Sequence, residues 1–183
     1  MSIILDTTVK GRGASHSTRL AAPGRIPVMT TDPTRRVLER LQTAWAAFTV
    51  SYAGLSDTQM LAPGVTGAWS VRDIVAHVTT WDEEALRHLP LILRGGTPPR
   101  YSVLYGGIDA FNARTTEQKG SLSLSEVRAE AAVTHGRLVE LVRGVPDDQL
   151  IGDTRFRRRL RLDTYGHYPL HADAIRLWRA RAT

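Results

Sequence analysis

The sequence predicts an all-α protein built as an antiparallel four-helix bundle. Apolar residues recur at helical spacing in four long stretches, and segments that contain Gly or Pro separate these stretches. The connections are short, which favours neighbouring helices that run in opposite directions. A chain of 183 residues with 42% hydrophobic and 23% charged residues fits one globular domain, and it contains no visible internal repeat.

The N-terminal arm, residues 1–31, differs in composition from the rest of the chain. It is rich in Gly, Ser, Thr and Pro, with breakers at Pro23, Gly24 and Pro27, a composition typical of disorder. Met29 lies just before the first helical stretch and offers an alternative start codon. We predict a disordered arm over residues 1–31 and a bundle domain over residues 32–183.

The first helix is expected to begin after Asp32, which can cap it, with Pro33 at the first helical position. Gly54 ends this helix. Its predicted buried stripe comprises Val37, Leu38, Leu41, Trp45, Phe48 and Tyr52.

The second helix is expected to begin after Ser70, a good N-cap residue. Pro90 is predicted to end or kink it, and His88 is predicted to be exposed. Its predicted buried face comprises Val71, Ile74, Val75, Val78 and Trp81.

A short extra helical segment is expected between the second and third helices, marked by Ile108, Phe111, Asn112 and Thr115. The third helix begins at Ser123 or Ser125, and Ser123 with Glu126 matches the Ser-x-x-Glu capping box. Gly144 and Pro146 end it. His135 falls outside its predicted buried stripe, which comprises Val127, Ala131, Leu138, Leu141 and Val142.

The approach to the fourth helix, residues 155–162, alternates apolar residues with arginines, which predicts an extended segment. Asp163 or Thr164 is the expected N-cap of the fourth helix. Pro169 would then fall just past the first turn and kink the helix.

Three histidines are the candidate metal ligands. His167 and His171 are four residues apart, so on a helix they share one face, which continues through Ala174, Ile175 and Trp178. Buried imidazoles need hydrogen-bond partners or a metal ion. His77, on or beside the buried face of the second helix, completes the predicted set. Asp73, one turn earlier, is the expected acceptor for its second ring N–H.

Three neutral imidazoles suit a divalent ion such as zinc or nickel, and they leave at least one coordination position for water or substrate. The other interpretation is that the same histidines are hydrogen-bonded core residues without a metal. The sequence has no cysteine, so disulfides and thiolate ligands are excluded, and any thiol would have to come from solution.

The segments around these histidines resemble a known family. Residues 69–81 are similar to the second helix of the DinB-like (DinB/YfiT-like) four-helix bundles, and residues 167–176 to the start of their last helix. The resemblance covers residues 32–181. Residues 108–112 and 122–127 resemble one branch more closely, the colibactin self-protection (ClbS/DfsB-type) proteins.

This resemblance implies a metal-dependent function in detoxification or stress protection. DinB-like bundles include metal-dependent thiol transferases and isomerases, and the ClbS/DfsB branch protects against a genotoxin by opening its electrophilic cyclopropane ring. We therefore expect hydrolysis of a small electrophile or transfer of a low-molecular-weight thiol to it. Asp109, Asn112 and Tyr168 are candidate catalytic residues, and Tyr165 is a further candidate for the pocket wall. Asp109 and Asn112 could equally cap or bridge loops.

Two other functions remain open at this point. The chain could be a metal-free bundle that sequesters a small apolar ligand, or it could bind nucleic acid through the arginines of residues 155–161. The sequence disfavours nucleic acid, because it lacks an aromatic platform and zinc-finger spacing. It also contains no apolar run of membrane-spanning length and no secretory leader, so we expect a cytoplasmic protein, with homodimers through exposed helix faces a further possibility.

Overall fold

The computed structural model describes residues 32–182, and the elements of regular secondary structure in this part are helices joined by loops and turns. The helices follow in the order α1 (Pro33–Tyr52), α2 (Asp57–Leu61), α3 (Val71–Leu93), α4 (Tyr101–Leu104), α5 (Ile108–Lys119), α6 (Leu124–Arg143), α7 (Asp147–Leu150), α8 (Arg155–Asp163) and α9 (Tyr168–Ala182). The predicted arm lies outside the described residues. Within residues 32–182, no helix is both long and apolar enough to cross a membrane.

The four long helices α1, α3, α6 and α9 form the bundle that the sequence predicts. Helix α3 packs against α6, α1 packs against α9, and α1 also contacts α6. Full burial of a large apolar side chain contributes about 1.5–3 kcal/mol, so the core accounts for much of the stability. Its fully buried members include Leu41, Phe48, Ile74, Val78, Leu138 and Ile175. The all-α bundle is thereby confirmed.

Side-chain caps define where the bundle helices begin. The Asp32 carboxylate accepts a hydrogen bond from the Arg35 backbone N–H at 3.2 Å. Ser70 and Ser123 each open a helix with a reciprocal capping box, in which an acidic side chain three residues on returns the bond. The predicted caps of the first three long helices agree with the structure.

The extra segment between α3 and α6 forms the two short helices α4 and α5. Arg72, a buried residue of the first turn of α3, holds the end of this segment. Its guanidinium donates to the backbone carbonyls of Lys119, Gly120 and Leu122. A side chain of the second long helix thus fixes the entry to the third.

The approach to the last helix is α8, not the extended segment that the sequence predicts. Phe156 and Leu160 are both fully buried, and their spacing of four residues places them on one helix face. The Thr154 hydroxyl caps α8 by accepting from the Arg157 backbone N–H at 3.1 Å. The arginines between and around these two residues hide this helical pattern behind an apparent alternation.

The start of α9 also differs from the prediction. Asp163 is the last residue of α8 and Thr164 is its C-cap, so neither caps α9. Helix α9 begins at Tyr168, which makes Pro169 its second residue. Proline is tolerated in a first turn, because the backbone N–H that it lacks has no intrahelical partner there.

Two histidines outside the candidate set are buried, although the sequence predicts an exposed His88 and places His135 outside the buried stripe of its helix. His88 is 4% exposed and lies on α3, which continues through Pro90 to Leu93. His135 is 8% exposed, and its ring stacks on Trp45 with 4.2 Å between the ring centroids. His88 lies next to the ring of Tyr101, and His135 next to that of Trp45. Both partners come from other helices, so the local sequence around each histidine could not predict its burial.

Candidate metal centre

Three histidines from two regions of the chain converge at one point in the bundle. His77 lies on α3, His167 lies in the turn before α9, and His171 lies in the first turn of α9. One ligand nitrogen from each ring lies within 4.8 Å of the others. The structure therefore brings together the three candidate ligands, and this cluster can hold a metal ion.

A tight turn between α8 and α9 places His167 beside His171. The backbone N–H groups of His167 and Tyr168 both donate to the Thr164 carbonyl, at 2.7 and 2.9 Å. The N–H of Gly166 donates to the Arg161 carbonyl at 2.9 Å, and a Cβ at Gly166 would lie 2.6 Å from that oxygen. Glycine is therefore required at this position of the turn.

Burial keeps the three imidazoles neutral. Desolvation, followed by the proximity of the other two rings, lowers the pKa of His77 to about 3. Desolvation and then His171 lower the pKa of His167 to about 3, although the Asp163 backbone acts in the opposite direction. Desolvation lowers the pKa of His171 to about 4. Neutral imidazoles have the free lone pairs that metal coordination requires.

The donor set fits a tetrahedral divalent ion. The Nε2 atoms of His167 and His171 are 2.8 Å apart, whereas two nitrogens on one tetrahedral zinc ion would be separated by about 3.3 Å. A small side-chain movement covers this difference. The Nδ1 atoms of His77 and His167 are both buried without a hydrogen-bond partner among residues 32–182, so the polar groups of the cluster are not all satisfied within this part of the protein.

Two tryptophans border the histidine cluster. The Trp69 ring centroid lies 4.9 Å from that of His77, and the Trp81 centroid lies 5.9 Å from that of His167. The Trp81 Nε1–H donates to Oδ1 of Asn112 at 3.2 Å. Asn112, a candidate catalytic residue, is thus joined to the cluster through Trp81, and helix α5 helps to orient this aromatic wall.

Asp73 does not support His77, contrary to prediction. Its carboxylate accepts from the backbone N–H and hydroxyl of Ser70, at 3.0 and 2.7 Å, and from Arg72 at 2.8 Å. These bonds lower the pKa of Asp73 against the effect of burial. The Asp73 carboxylate is therefore engaged at the N-terminus of α3 and does not accept the second ring N–H of His77.

The other candidate pocket residues lie in different surroundings. Tyr168 is fully buried, packs on Trp45 and Phe48, and donates its hydroxyl to Oδ1 of Asp82 at 2.7 Å. Tyr165 is half-buried and lines a surface pocket along α1. Asp109 is exposed in the first turn of α5.

A buried polar cluster between α3, α4 and α8 is absent from the sequence-based prediction. The Tyr101 hydroxyl donates to Glu84 at 2.6 Å and accepts from Arg159 at 2.8 Å, and Arg159 also donates to Asp163 at 2.5 Å. Burial raises the pKa of Asp163 to about 7 in spite of Arg159, and it raises the pKa of Tyr101 well above its usual value. In the sequence, only the four-residue spacing of Arg159 and Asp163 pointed to part of this cluster, because opposite charges at that spacing meet on one face of a helix.

A helical bundle with three converging histidines defines the class of protein. Residues 40–172 match the DinB superfamily, and the chain belongs to that superfamily. The resemblance seen in the sequence is thereby confirmed. No curated protein matches the chain in sequence.

Solved structures with the same fold include members of the predicted branch. The colibactin self-resistance protein ClbS, in complex with a double-stranded DNA, is 13% identical at a TM-score of 0.66, with 78% of this chain and 92% of that chain covered. The sibling lethal factor precursor DfsB is also 13% identical at 0.66, with 81% and 96% covered. An uncharacterised protein from Escherichia coli UTI89 is 14% identical at 0.67, with 82% and 95% covered. At these identities, the likeness concerns the fold.

Proposed function

We propose that this chain binds zinc or nickel through His77, His167 and His171 and acts on a small electrophilic molecule in detoxification or stress protection. The observation that carries the proposal is the convergence of three neutral imidazole donors within 4.8 Å. A bound ion would supply a Lewis-acidic centre that lowers the pKa of a water or thiol ligand, to about 7 for water on zinc.

The chain's own residues would hold the ion and shape the space next to it. Three histidines leave one position of a tetrahedral ion for the reacting ligand. Trp69 and Trp81, next to His77 and His167, would offer aromatic surface to an apolar substrate. The reaction would be hydrolysis or transfer of a low-molecular-weight thiol, and that thiol would come from solution because the sequence has no cysteine.

Metal content tests the site directly. We expect about one zinc or nickel per chain in tag-free protein by elemental analysis, and loss of this metal in His171→Ala. His135→Phe is the matched control, because it removes a buried histidine outside the cluster and should retain the metal. Wild-type protein that stays metal-free after incubation with zinc and nickel would contradict the proposed site.

Consumption of a model electrophile tests the reaction. We expect metal-loaded protein to accelerate the loss of 1-chloro-2,4-dinitrobenzene, with or without added glutathione, over the same protein treated with a chelator. Acceleration only with glutathione would indicate thiol transfer, and acceleration in buffer alone would indicate hydrolysis.

One observation favours a second candidate function, a metal-free bundle that sequesters a small ligand. The 2.8 Å between the Nε2 atoms of His167 and His171 is a hydrogen-bond distance, so these two rings can satisfy each other without an ion. A protein that keeps its melting temperature in chelator and leaves electrophiles intact would support this function over the metal-dependent one.

Association with DNA, which the sequence disfavours, is a third candidate because of one structural neighbour. The fold resembles that of ClbS, which has been seen with double-stranded DNA, and α8 carries five arginines. Binding to a DNA duplex that weakens steeply with salt, and that is lost when the α8 arginines are replaced, would support this function.

A further inference from the structure

An open cleft of about 620 Å³ follows one face of α8. Arg155, Arg158, Arg159 and Leu162 line one wall, and their spacing places them on the same helix face. Residues 98–108, from the loop before α4 to the start of α5, also line the cleft and include Pro99, Arg100, Tyr101 and Ile108. Four arginines and no carboxylate are present among the described residues that line this cleft.

The positive charge of the cleft is only partly compensated. The Arg155 guanidinium donates to neutral acceptors, the Gly96 carbonyl and the Thr97 hydroxyl. The Arg100 side chain makes no hydrogen bond or ion pair within residues 32–182. Arg158 pairs with Asp153, whose side chain is 79% exposed, and solvent weakens such a pair. An anion that enters the cleft would therefore meet guanidinium groups that can bind it.

A second open cavity, of about 530 Å³, adjoins this cleft and is lined by one histidine of the cluster. Arg158 and Leu162 line both spaces, and His167 lines the second one. Leu162 and Leu170, which are 70% and 66% exposed, present apolar surface there. We call the two spaces together the α8 groove. Its first part is lined by four arginines, and its second part by Asp153, Arg161, His167 and Leu170, with Arg158 and Leu162 lining both parts.

We propose that the α8 groove binds an amphipathic anion, a molecule with a carboxylate, phosphate or sulfonate group and an apolar body. Arg100, Arg155 and Arg158 would hold the anionic group, and Leu162 and Leu170 would contact the apolar body. A ligand held in this way would extend its uncharged end toward the part of the groove that His167 lines. Such an anion would be the substrate class of the proposed function. Its conversion rests on that function, whereas its binding in the groove does not require the metal site.

A pair of fluorescent probes tests the binding in the full-length chain. 8-Anilinonaphthalene-1-sulfonate is an amphipathic anion, and N-phenyl-1-naphthylamine is the same ring system without the sulfonate. We expect one anionic probe per chain in protein treated with EDTA. Arg158→Gln and Arg100→Gln should each weaken the binding of the anionic probe about tenfold and leave that of the neutral probe unchanged.

Arg143→Gln is the matched control for Arg158→Gln. Arg143 is 54% exposed and pairs with an acidic residue, as Arg158 does at 53%, but it lies on α6 outside the groove. Anionic-probe binding in this variant should equal that of wild type. Equal losses for both probes, or an unchanged affinity in Arg158→Gln and Arg100→Gln, would refute the proposal.

Competition separates a small anion from nucleic acid. Displacement of the anionic probe by a DNA duplex at much lower concentration than by octanoate, with steep salt dependence, would assign the groove to DNA and overturn the small-molecule proposal. The probes are bound without metal, so the two proposals can fail separately. Protein that binds no metal but binds the anionic probe as expected would contradict the proposed metal-dependent reaction and support the groove as a binding site. Protein that binds metal but not the anionic probe would contradict the groove proposal and support the metal site.

Discussion

The Nε2 atoms of His167 and His171 lie 2.8 Å apart, although only His171 belongs to α9. The turn that precedes the helix, rather than helical periodicity alone, sets this distance. The site therefore depends on the turn of residues 164–167 as much as on the imidazoles themselves.

Metal addition should stabilise the folded chain. An ion that binds only the folded state adds about 2.7 kcal/mol at a free concentration 100 times its Kd. We expect zinc or nickel to raise the melting temperature of wild type and EDTA to reverse the change, as followed by circular dichroism. His171→Ala should show no such shift, whereas His135→Phe should respond like wild type.

Replacement of Gly166 by alanine should weaken metal binding. The added Cβ would lie 2.6 Å from the Arg161 carbonyl, so the turn must move and take His167 with it. We expect at least a tenfold loss of zinc affinity by competition with a chelating dye. Gly136→Ala is the control, since a Cβ there meets nothing within 4 Å, and unchanged affinity in Gly166→Ala would show that the turn does not set the site.

Tyr168 should contribute to stability and not to metal binding. Tyr168→Phe removes the bond to Asp82, a carboxyl group whose pKa burial raises well above its usual value. The loss of this buried hydrogen bond should cost about 1–3 kcal/mol in urea unfolding. Metal content should remain that of wild type.

A double-mutant cycle with Asp82→Asn tests the same bond. The two changes should be less than additive in free energy, because either one disrupts the same interaction. Additive effects would show that Tyr168 and Asp82 contribute independently.

The stability of the chain should fall in mild acid, partly through His135. Desolvation lowers the pKa of His135 to about 4 in the folded state, against about 6.5 in the unfolded state. The unfolded state thus binds more protons between these values, and the stabilising contribution is lost as the pH falls through this window. Asp163, with its raised pKa, contributes with the opposite sign.

Comparison with His135→Phe isolates this contribution, since Asp163 is common to both proteins. Between pH 7 and pH 5, wild type should lose up to about 2 kcal/mol more than the variant. Parallel pH profiles of the free energy of unfolding would show that His135 is not responsible.

Local signals in the sequence were enough for most of the bundle. Asp32, Ser70 and Ser123 cap the helices that they were predicted to cap, since a cap requires only a polar side chain within three residues of its acceptor or donor. The prediction of an extended segment at residues 155–162 was wrong, because the arginines of α8 outnumber its buried residues and obscure the helical spacing. Phe156 and Leu160 become recognisable as core residues once α8 is seen to pack against α3.

The sequence by itself determined the all-α class, the starts of the first three long helices and the identity of three histidines as a possible ligand set. Only the tertiary structure decided which groups those residues meet. Tyr168 reaches Asp82 across 86 positions of the chain, and Arg159 reaches Tyr101 across 58. Helix starts depend on neighbours three or four residues away, whereas a buried polar group takes the partner that packing brings to it.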